Sequence, residues 1–332
     1  MSSKDLWVFI ETNAQGIPRN VGLELLNPGR SLADEQGGKL VAIVIAGNTK
    51  EAEQAAANYG ADTVIAIEGP EYQDYSTDAY TAAFTHLIKK YEPLTVMIGA
   101  TTNGRDLAPR VSSRVQTGLT ADCTQLGIDE ATGNIAWTRP AFGGNLMAVI
   151  LCTDHRPQMG TVRPGVFKKP ELVQKEAKLI KEHYPADKAS IRTRIVEVFE
   201  QAGEHVDLEG AEIIISGGRG VGNAQGFEAI RKLAKRLGAV VGASRAAVEE
   251  GWIPHTHQVG QTGKSVSPKV YIACGISGAS QHIAGIGGAE TIIAINKDPE
   301  APIFGMADYS VVGDLFEVLP ALENELVKLL KR

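Results

Sequence analysis

Apolar positions in the first hundred residues follow two alternating rhythms. Short β-branched runs at residues 6–10, 40–45, 63–67 and 95–98 read as strands. Helical stretches lie between them. The clearest is 78–91, where Tyr80, Phe84, Leu87, Ile88 and Tyr91 recur at three- and four-residue steps and put one apolar stripe on a sheet. Such alternation predicts a parallel sheet. From 122 to about 152 the strands become closely spaced, at 124–128, 135–138 and 145–151, with a turn at Ala131-Thr132-Gly133-Asn134. This is an antiparallel addition. Residues 168–192 are charged, broken by proline and poor in apolar periodicity, and a strand-like run at 194–199 follows. Further apolar strands are expected at 212–215, 239–241, 270–273 and 291–295, separated by a helix at 227–237 and closed by one at 315–330. A length of 332 residues exceeds the usual single domain, so an α/β chain of two domains is expected, 1–205 and 206–332.

Composition narrows the partners. With 43% hydrophobic residues, 36 glycines and 6% aromatics, the chain is an ordinary globular protein rich in tight turns. Net charge is -6 with no basic block, which argues against nucleic acid or an anionic membrane and for a protein or small-molecule partner. The three cysteines lack CxxC spacing and read as buried thiols. His255 and His257 have no Cys or acid to complete a metal set, and neither GxSxG nor HExxH occurs. No apolar run reaches the roughly 18 residues of a membrane span and no signal-like start is seen, so a cytoplasmic protein is expected.

The chemistry gathers where the later strands end. Their carboxyl ends carry Ser216-Gly217-Gly218-Arg219-Gly220-Val221-Gly222, then Gly242-Ala243-Ser244-Arg245, then Gly275-Ile276-Ser277-Gly278-Ala279-Ser280-Gln281-His282, then Asn296-Lys297-Asp298. In an open parallel sheet those ends line one crevice, at the point where strand order reverses. The first segment offers close backbone approach and a helix N-terminus, which suits a phosphate or pyrophosphate. A tight structural turn is the alternative. Its order is GxGxGN rather than GxGxxG, and no acid follows about twenty positions later to hold a ribose. Arg245 beside Ser244 can stack on an aromatic ring or offset negative charge, or form a surface ion pair. Gln258-Val259-Gly260-Gln261-Thr262-Gly263-Lys264 is either a plain loop or a set of amides and a hydroxyl suited to a heterocycle edge. His282, one turn into a helix, is either a satisfied structural histidine or a donor to an electron-rich ring atom.

Three runs, VGASRAAVEEGW, QVGQTGKSVSPKVYIACGISGASQH and INKDPEAPIFGMADYSVVGDL, together with WVFIE at 7–11 and TGLTADCT at 117–124, carry a resemblance to the alpha subunit of the electron-transfer flavoproteins. The resemblance implies an N-terminal nucleotide-hydrolase-like α/β domain against a beta subunit, and a Rossmann-like, doubly wound C-terminal domain that holds one FAD and swivels. It implies that Arg219 and Ser244 meet the FAD phosphates and that Arg245 lies against the isoalloxazine ring. Val259, Gly260, Gln261, Thr262 and Gly263 would line the flavin, with Thr262 near N5. Ser277, Gly278, Ala279, Ser280, Gln281 and His282 would wrap the pyrophosphate and ribityl side, His282 reaching the N1 and O2 edge. Asn296, Asp314 and Leu315 would border the adenosine.

The resemblance implies an electron carrier rather than a substrate-converting enzyme, expected to pass electrons from an acyl-CoA dehydrogenase or another flavin dehydrogenase to an acceptor. Arg245 and His282 would then favour reduced, anionic flavin. The sequence shows no obvious carboxylate poised for substrate chemistry. Other readings stay open: the alpha subunit of an electron-bifurcating, NADH-dependent complex with a second flavin in the beta subunit, or a nucleotide-binding regulatory module. An NAD-dependent dehydrogenase is disfavoured by the GxGxGN order.

Overall fold

The structure, a computed structural model, describes residues 3–141, 146–173, 176–185, 191–193, 195–197 and 206–330. The chain divides into two compact units, Met1–Glu200 and Gln201–Arg332.

The first unit runs β1 (Leu6–Phe9), α1 (Asn20–Gln36), β2 (Leu40–Ala46), α2 (Lys50–Asn58), β3 (Thr63–Glu68), α3 (Thr77–Tyr91), β4 (Thr95–Gly99) and α4 (Thr102–Arg114). It continues through β5 (Leu119–Cys123), β6 (Gln125–Ile128), β7 (Ile135–Ala141), β8 (Leu146–Ile150), β9 (Gln158–Val162) and β10 (Lys178–Glu182). Seven strands form a parallel sheet in the order β10-β3-β2-β1-β4-β9-β5. Side chains alternate across it. Leu6 and Val8 join Leu25, Leu26 and Ala52 from α1 and α2 on one face, while Trp7 and Phe9 join Phe84, Leu87 and Leu107 from α3 and α4 on the other. Burial on both faces makes these strands read as continuous apolar runs. β6-β7-β8 form the expected antiparallel sheet, docked by the Trp137 ring against Gly160, where an added Cβ would lie 2.2 Å from the indole.

The sequence did not anticipate β5 or β9, and two further features of this unit differ from the expectation. The charged stretch 168–192 contains β10, an edge strand paired with β3, in which Lys178, Lys181 and Glu182 mask the apolar signal of Leu179 and Ile180. Charges are what an edge strand carries to avoid further pairing. Of the run at 194–199, residues 195–197 form no strand, and the rest lie outside the described residues.

Just beyond β10, Arg192 ties the chain back to α3: its amide and Nε donate to Asp78 Oδ2, each at 3.1 Å, and Nη2 donates to Oδ1 at 2.8 Å. These bonds hold the Asp78 carboxyl at about 2, below its ordinary 3.8. A depressed carboxyl stabilises the folded chain above its unfolded value, and the contribution is lost as pH falls toward 2. Arg192 is exposed and water screens the pair, so its contribution to stability is small. Asp78→Asn should slightly lower the urea unfolding midpoint of this unit at pH 7, and the difference from the parent should close between pH 5 and 2.

The second unit runs β11 (Ile213–Gly217), α5 (Phe227–Leu237), β12 (Val240–Ala243), α6 (Arg245–Glu249), β13 (Val270–Cys274), α7 (Ser280–Ile286), β14 (Thr291–Asn296), β15 (Tyr309–Val312) and α8 (Leu315–Leu330). Its parallel sheet has the order β12-β11-β13-β14-β15. Phe227, Ile230 and Leu233 of α5 pack with Leu315 and Leu319 of α8 on one face, and Tyr271 and Ala294 pack with Ile286 and Ile303 on the other. β15 was not anticipated from sequence, because its side chains are mostly exposed and show no apolar alternation. The chain leaves β11 for β12 on one side and crosses to β13 on the other, so the switch in strand order falls between β11 and β13. Among the described residues no helix is long and apolar enough to cross a membrane.

Candidate functional site

At that switch point lies a cleft of about 770 Å³, within the usual size of cofactor pockets. Two glycine turns build its floor. Gly218 N donates to Cys274 O and Gly220 N donates to Gly275 O, both at 2.9 Å, so the ends of β11 and β13 are zipped together. A Cβ on Gly220 would lie 2.7 Å from Gly275 Cα, and Gly275 has φ +61°. Only glycine permits this approach of two backbones. The turn after β13 is braced from behind: Asn296 Nδ2 donates to Ile276 O at 2.9 Å, and Ile303 N donates to Ser277 O at 3.0 Å.

Along one wall, Ser244 precedes the short α6, its amide donating to Gly217 O at 2.9 Å. Arg245 follows, with a side chain 65% exposed and Nε 2.8 Å from Glu249 Oε1. The loop 258–264 forms the next wall. Val259 N donates to Ala243 O at 2.9 Å, and Gln261 N donates to Gln281 O at 2.8 Å, which fixes the loop between β12 and α7. Gln258 Nε2 donates to Thr262 Oγ1 at 3.0 Å, leaving the Thr262 O–H as a donor.

Of the residues singled out from sequence, Arg219, Ser244, Arg245, Val259, Gly260, Gln261, Thr262, Ser277, Ala279, Gln281, His282 and Asn296 line the cleft. Gly263, Gly278, Ser280, Asp314 and Leu315 do not. Gly263 closes the loop by donating to Gly260 O at 3.0 Å. Gly278, at φ +93°, lets the chain pass Ile303, whose amide would sit 2.3 Å from an added Cβ. Ser280 opens α7 at the surface. Asp314 pairs with Lys297 at 2.9 Å and accepts from the Phe316 amide, and this pairing holds its carboxyl below the usual range. Leu315 is buried in the α5–α8 core.

His282 differs from the sequence expectation in its chemistry. The ring is 6% exposed, with Nδ1 3.1 Å from Val259 O and Nε2 3.0 Å from Tyr271 Oη. Both nitrogens are therefore engaged within the protein, and burial pushes the imidazole down to about 4. A neutral, satisfied ring contributes no positive charge to the cleft, whose lining also includes Arg219 and Arg245. Two carboxylates, Glu249 and Asp298, line the cleft. Neither stands alone, since Glu249 meets Arg245 and Asp298 Oδ1 accepts from the Glu300 amide at 3.0 Å. Ala301 and Pro302 also line it. Both fall in the run INKDPEAPIFGMADYSVVGDL, where Pro302 opens the turn Pro302–Gly305. Glu249 was legible as the i+4 partner of Arg245.

This donor set fits a dinucleotide cofactor. Glycine turns allow close approach to a pyrophosphate, arginines sit at the rim, and a loop of amides with the Thr262 hydroxyl faces the space a heterocycle would fill. In the first unit the corresponding place, between β1 and β4, is taken by the protein's own carboxylate. Buried Glu11 accepts from Thr101 Oγ1 and from Asn103 Nδ2 at 2.9 Å at the start of α4, and pairs with Arg19 at 3.0 Å.

Comparison with known proteins agrees with the geometry. Residues 6–189 match the electron transfer flavoprotein domain, and residues 207–287 match the electron transfer flavoprotein FAD-binding domain. The chain is 51% identical to the electron transfer flavoprotein subunit alpha of Thermoanaerobacterium thermosaccharolyticum, covering 98% of each chain. It is 47% identical to the protein of that name from Megasphaera elsdenii, covering 98% of this chain and 97% of that one. It is 45% identical to the acryloyl-CoA reductase electron transfer subunit beta of Anaerotignum propionicum, covering 97% of this chain and 95% of that one. The chain belongs to the electron transfer flavoprotein alpha-subunit family.

Proposed function

We propose that the chain holds one FAD in the cleft between β11 and β13 and, paired with a beta subunit, shuttles electrons from a flavin dehydrogenase to an acceptor. The convergence of four strand ends on one glycine-floored cleft, inside the region that matches the FAD-binding domain, carries this reading. When bound, FAD supplies the redox chemistry, and the chain supplies placement and field. Gly218, Gly220 and Gly275 would admit the pyrophosphate. Arg219 and Ser244 would meet its phosphates, Arg245 would lie by the ring system, and Thr262 would donate to it. Ser277, Ala279 and Gln281 would border the ribityl side. Residues 206–332 form the FAD domain in this reading, and residues 1–205 face the beta subunit.

Neither carboxylate of the cleft is set up as a base, which suits a carrier. An acyl-CoA dehydrogenase is a fitting donor, since one relative is named as the electron-transfer subunit of an acryloyl-CoA reductase. Buried thiols at Cys123 and Cys274, each pushed up to about 12 by desolvation, fit a cytoplasmic setting.

Co-expression with the beta subunit should yield a yellow heterodimer whose flavin bleaches on reduction. Residues 206–332 alone, which have their own core, should retain FAD more weakly. A colourless heterodimer would defeat the reading. Two FADs per heterodimer would move the chain into an NADH-oxidising, bifurcating assembly.

A further inference from the structure

Behind the loop 258–264 runs a buried polar chain that electron carriage does not by itself require. Tyr271, in the middle of β13, is fully buried, and its hydroxyl lies 3.0 Å from His282 Nε2. The other ring nitrogen, Nδ1, lies 3.1 Å from the Val259 carbonyl. A carbonyl can only accept, so in the neutral ring Nδ1 carries the proton. Nε2 is then the acceptor, and the Tyr271 O–H must donate to it. The direction of the chain is thus fixed from Tyr271 through His282 to Val259.

The same loop is seated on α7 by its backbone. Gln261 N donates to Gln281 O and Val266 N donates to Gly285 O, both at 2.8 Å. A Cβ on Gly285 would lie 2.4 Å from Gly260 Cα, so loop and helix touch with no side chain between them. Val259, Gly260, Gln261 and Thr262 all line the cleft. A shift at the Val259 carbonyl is therefore transmitted to the groups that face the ligand.

We propose that Tyr271 is a positioning residue for the FAD-facing loop: its hydroxyl holds His282 as the Nδ1–H tautomer, and that tautomer anchors the Val259 carbonyl. Tyr271 does not itself line the cleft and acts on it through His282 and Val259. The proposal rests on the reading of the cleft as an FAD site. It makes His282 a bracket between strand and loop.

The test uses the full chain with its beta subunit, ¹⁵N-labelled at histidine. In the parent, His282 should show a protonated Nδ1 and an unprotonated Nε2. Tyr271→Phe should bring in the Nε2–H tautomer, speed amide exchange at Gly260 and Gln261, and weaken FAD binding about three- to tenfold, the worth of one net hydrogen bond. His282→Gln, whose amide offers both a donor and an acceptor, should keep more affinity than His282→Ala. An unchanged tautomer and unchanged exchange in Tyr271→Phe would overturn the positioning role. So would a tautomer change with FAD affinity intact. A parent that takes up no FAD would overturn this proposal together with the functional reading, whereas the first two results overturn the positioning role alone.

Discussion

Gly275→Ala is expected to strip most of the FAD from the heterodimer and to destabilise the C-terminal unit by about 2–5 kcal/mol. Two costs act at the same atom. Gly275 has φ +61°, where a side chain strains the backbone, and its Cβ would lie 2.8 Å from Gly220 Cα and 2.9 Å from Gly220 C. Neither neighbour is a flexible side chain that could move aside. Relief must come from parting the β11 and β13 turns, which breaks the 2.9 Å bond from Gly220 N to Gly275 O and reshapes the cleft floor. Gly238→Ala is the control. It also has a left-handed φ, +63°, at the end of α5, but its Cβ would meet nothing within 4 Å. It should cost about 1–2 kcal/mol of strain and keep a full complement of FAD. Denaturant melts and flavin-to-protein ratios of the two variants decide the matter. Equal stability and equal flavin content would mean that the paired turns are not the floor of the site.

That floor was partly legible in the sequence, and the reason it was only partly so is physical. Glycines at strand ends announce close backbone approach, but a sequence does not say which two glycines approach each other. The pairing of Gly220 with Gly275 is a product of strand order. Apolar runs buried on both faces, such as residues 40–45, were readable because every position there is buried. β10 and β15 were not, because edge strands mix charge and exposure into a short run, and neither was β9, buried throughout but interrupted by Gln158, Gly160 and Thr161. His282 shows the same limit in chemistry. Its place near a helix start suggested a donor to the ligand, and its contacts with Tyr271 and Val259 make it a neutral bracket. Asp314 and Leu315 fell in a motif-rich run, yet one is engaged by Lys297 and the other by the core. Motifs marked the neighbourhood, and tertiary partners assigned the work.

Arg245→Ala is expected to lower the midpoint potential of the FAD-loaded protein, and Glu249→Gln to raise it. Reduction adds negative charge to the cleft, so a nearby cation favours the reduced form and a nearby anion opposes it. Arg245 and Glu249 lie one helical turn apart, bonded at 2.8 Å, with side chains 65% and 60% exposed. As an isolated surface pair they are worth little to stability. Their opposed effects on the cleft are the informative quantity. Water screens a cation this exposed, so about 0.5–1.5 kcal/mol is the appropriate scale rather than the larger value of a buried charge-assisted bond. For a one-electron step that is ~20–65 mV, at about 59 mV per tenfold change. Arg245→Lys keeps the charge and loses the planar fork, so its potential should fall between those of parent and Ala variant. Removing both partners should return the potential toward the parent, because the two field contributions cancel. Redox titration of the four variants beside the parent, with FAD occupancy measured in each, checks the signs. An unchanged or raised potential in a fully loaded Arg245→Ala protein would reduce Arg245 to an ordinary surface ion pair and move the search for the flavin's positive partner to Arg219.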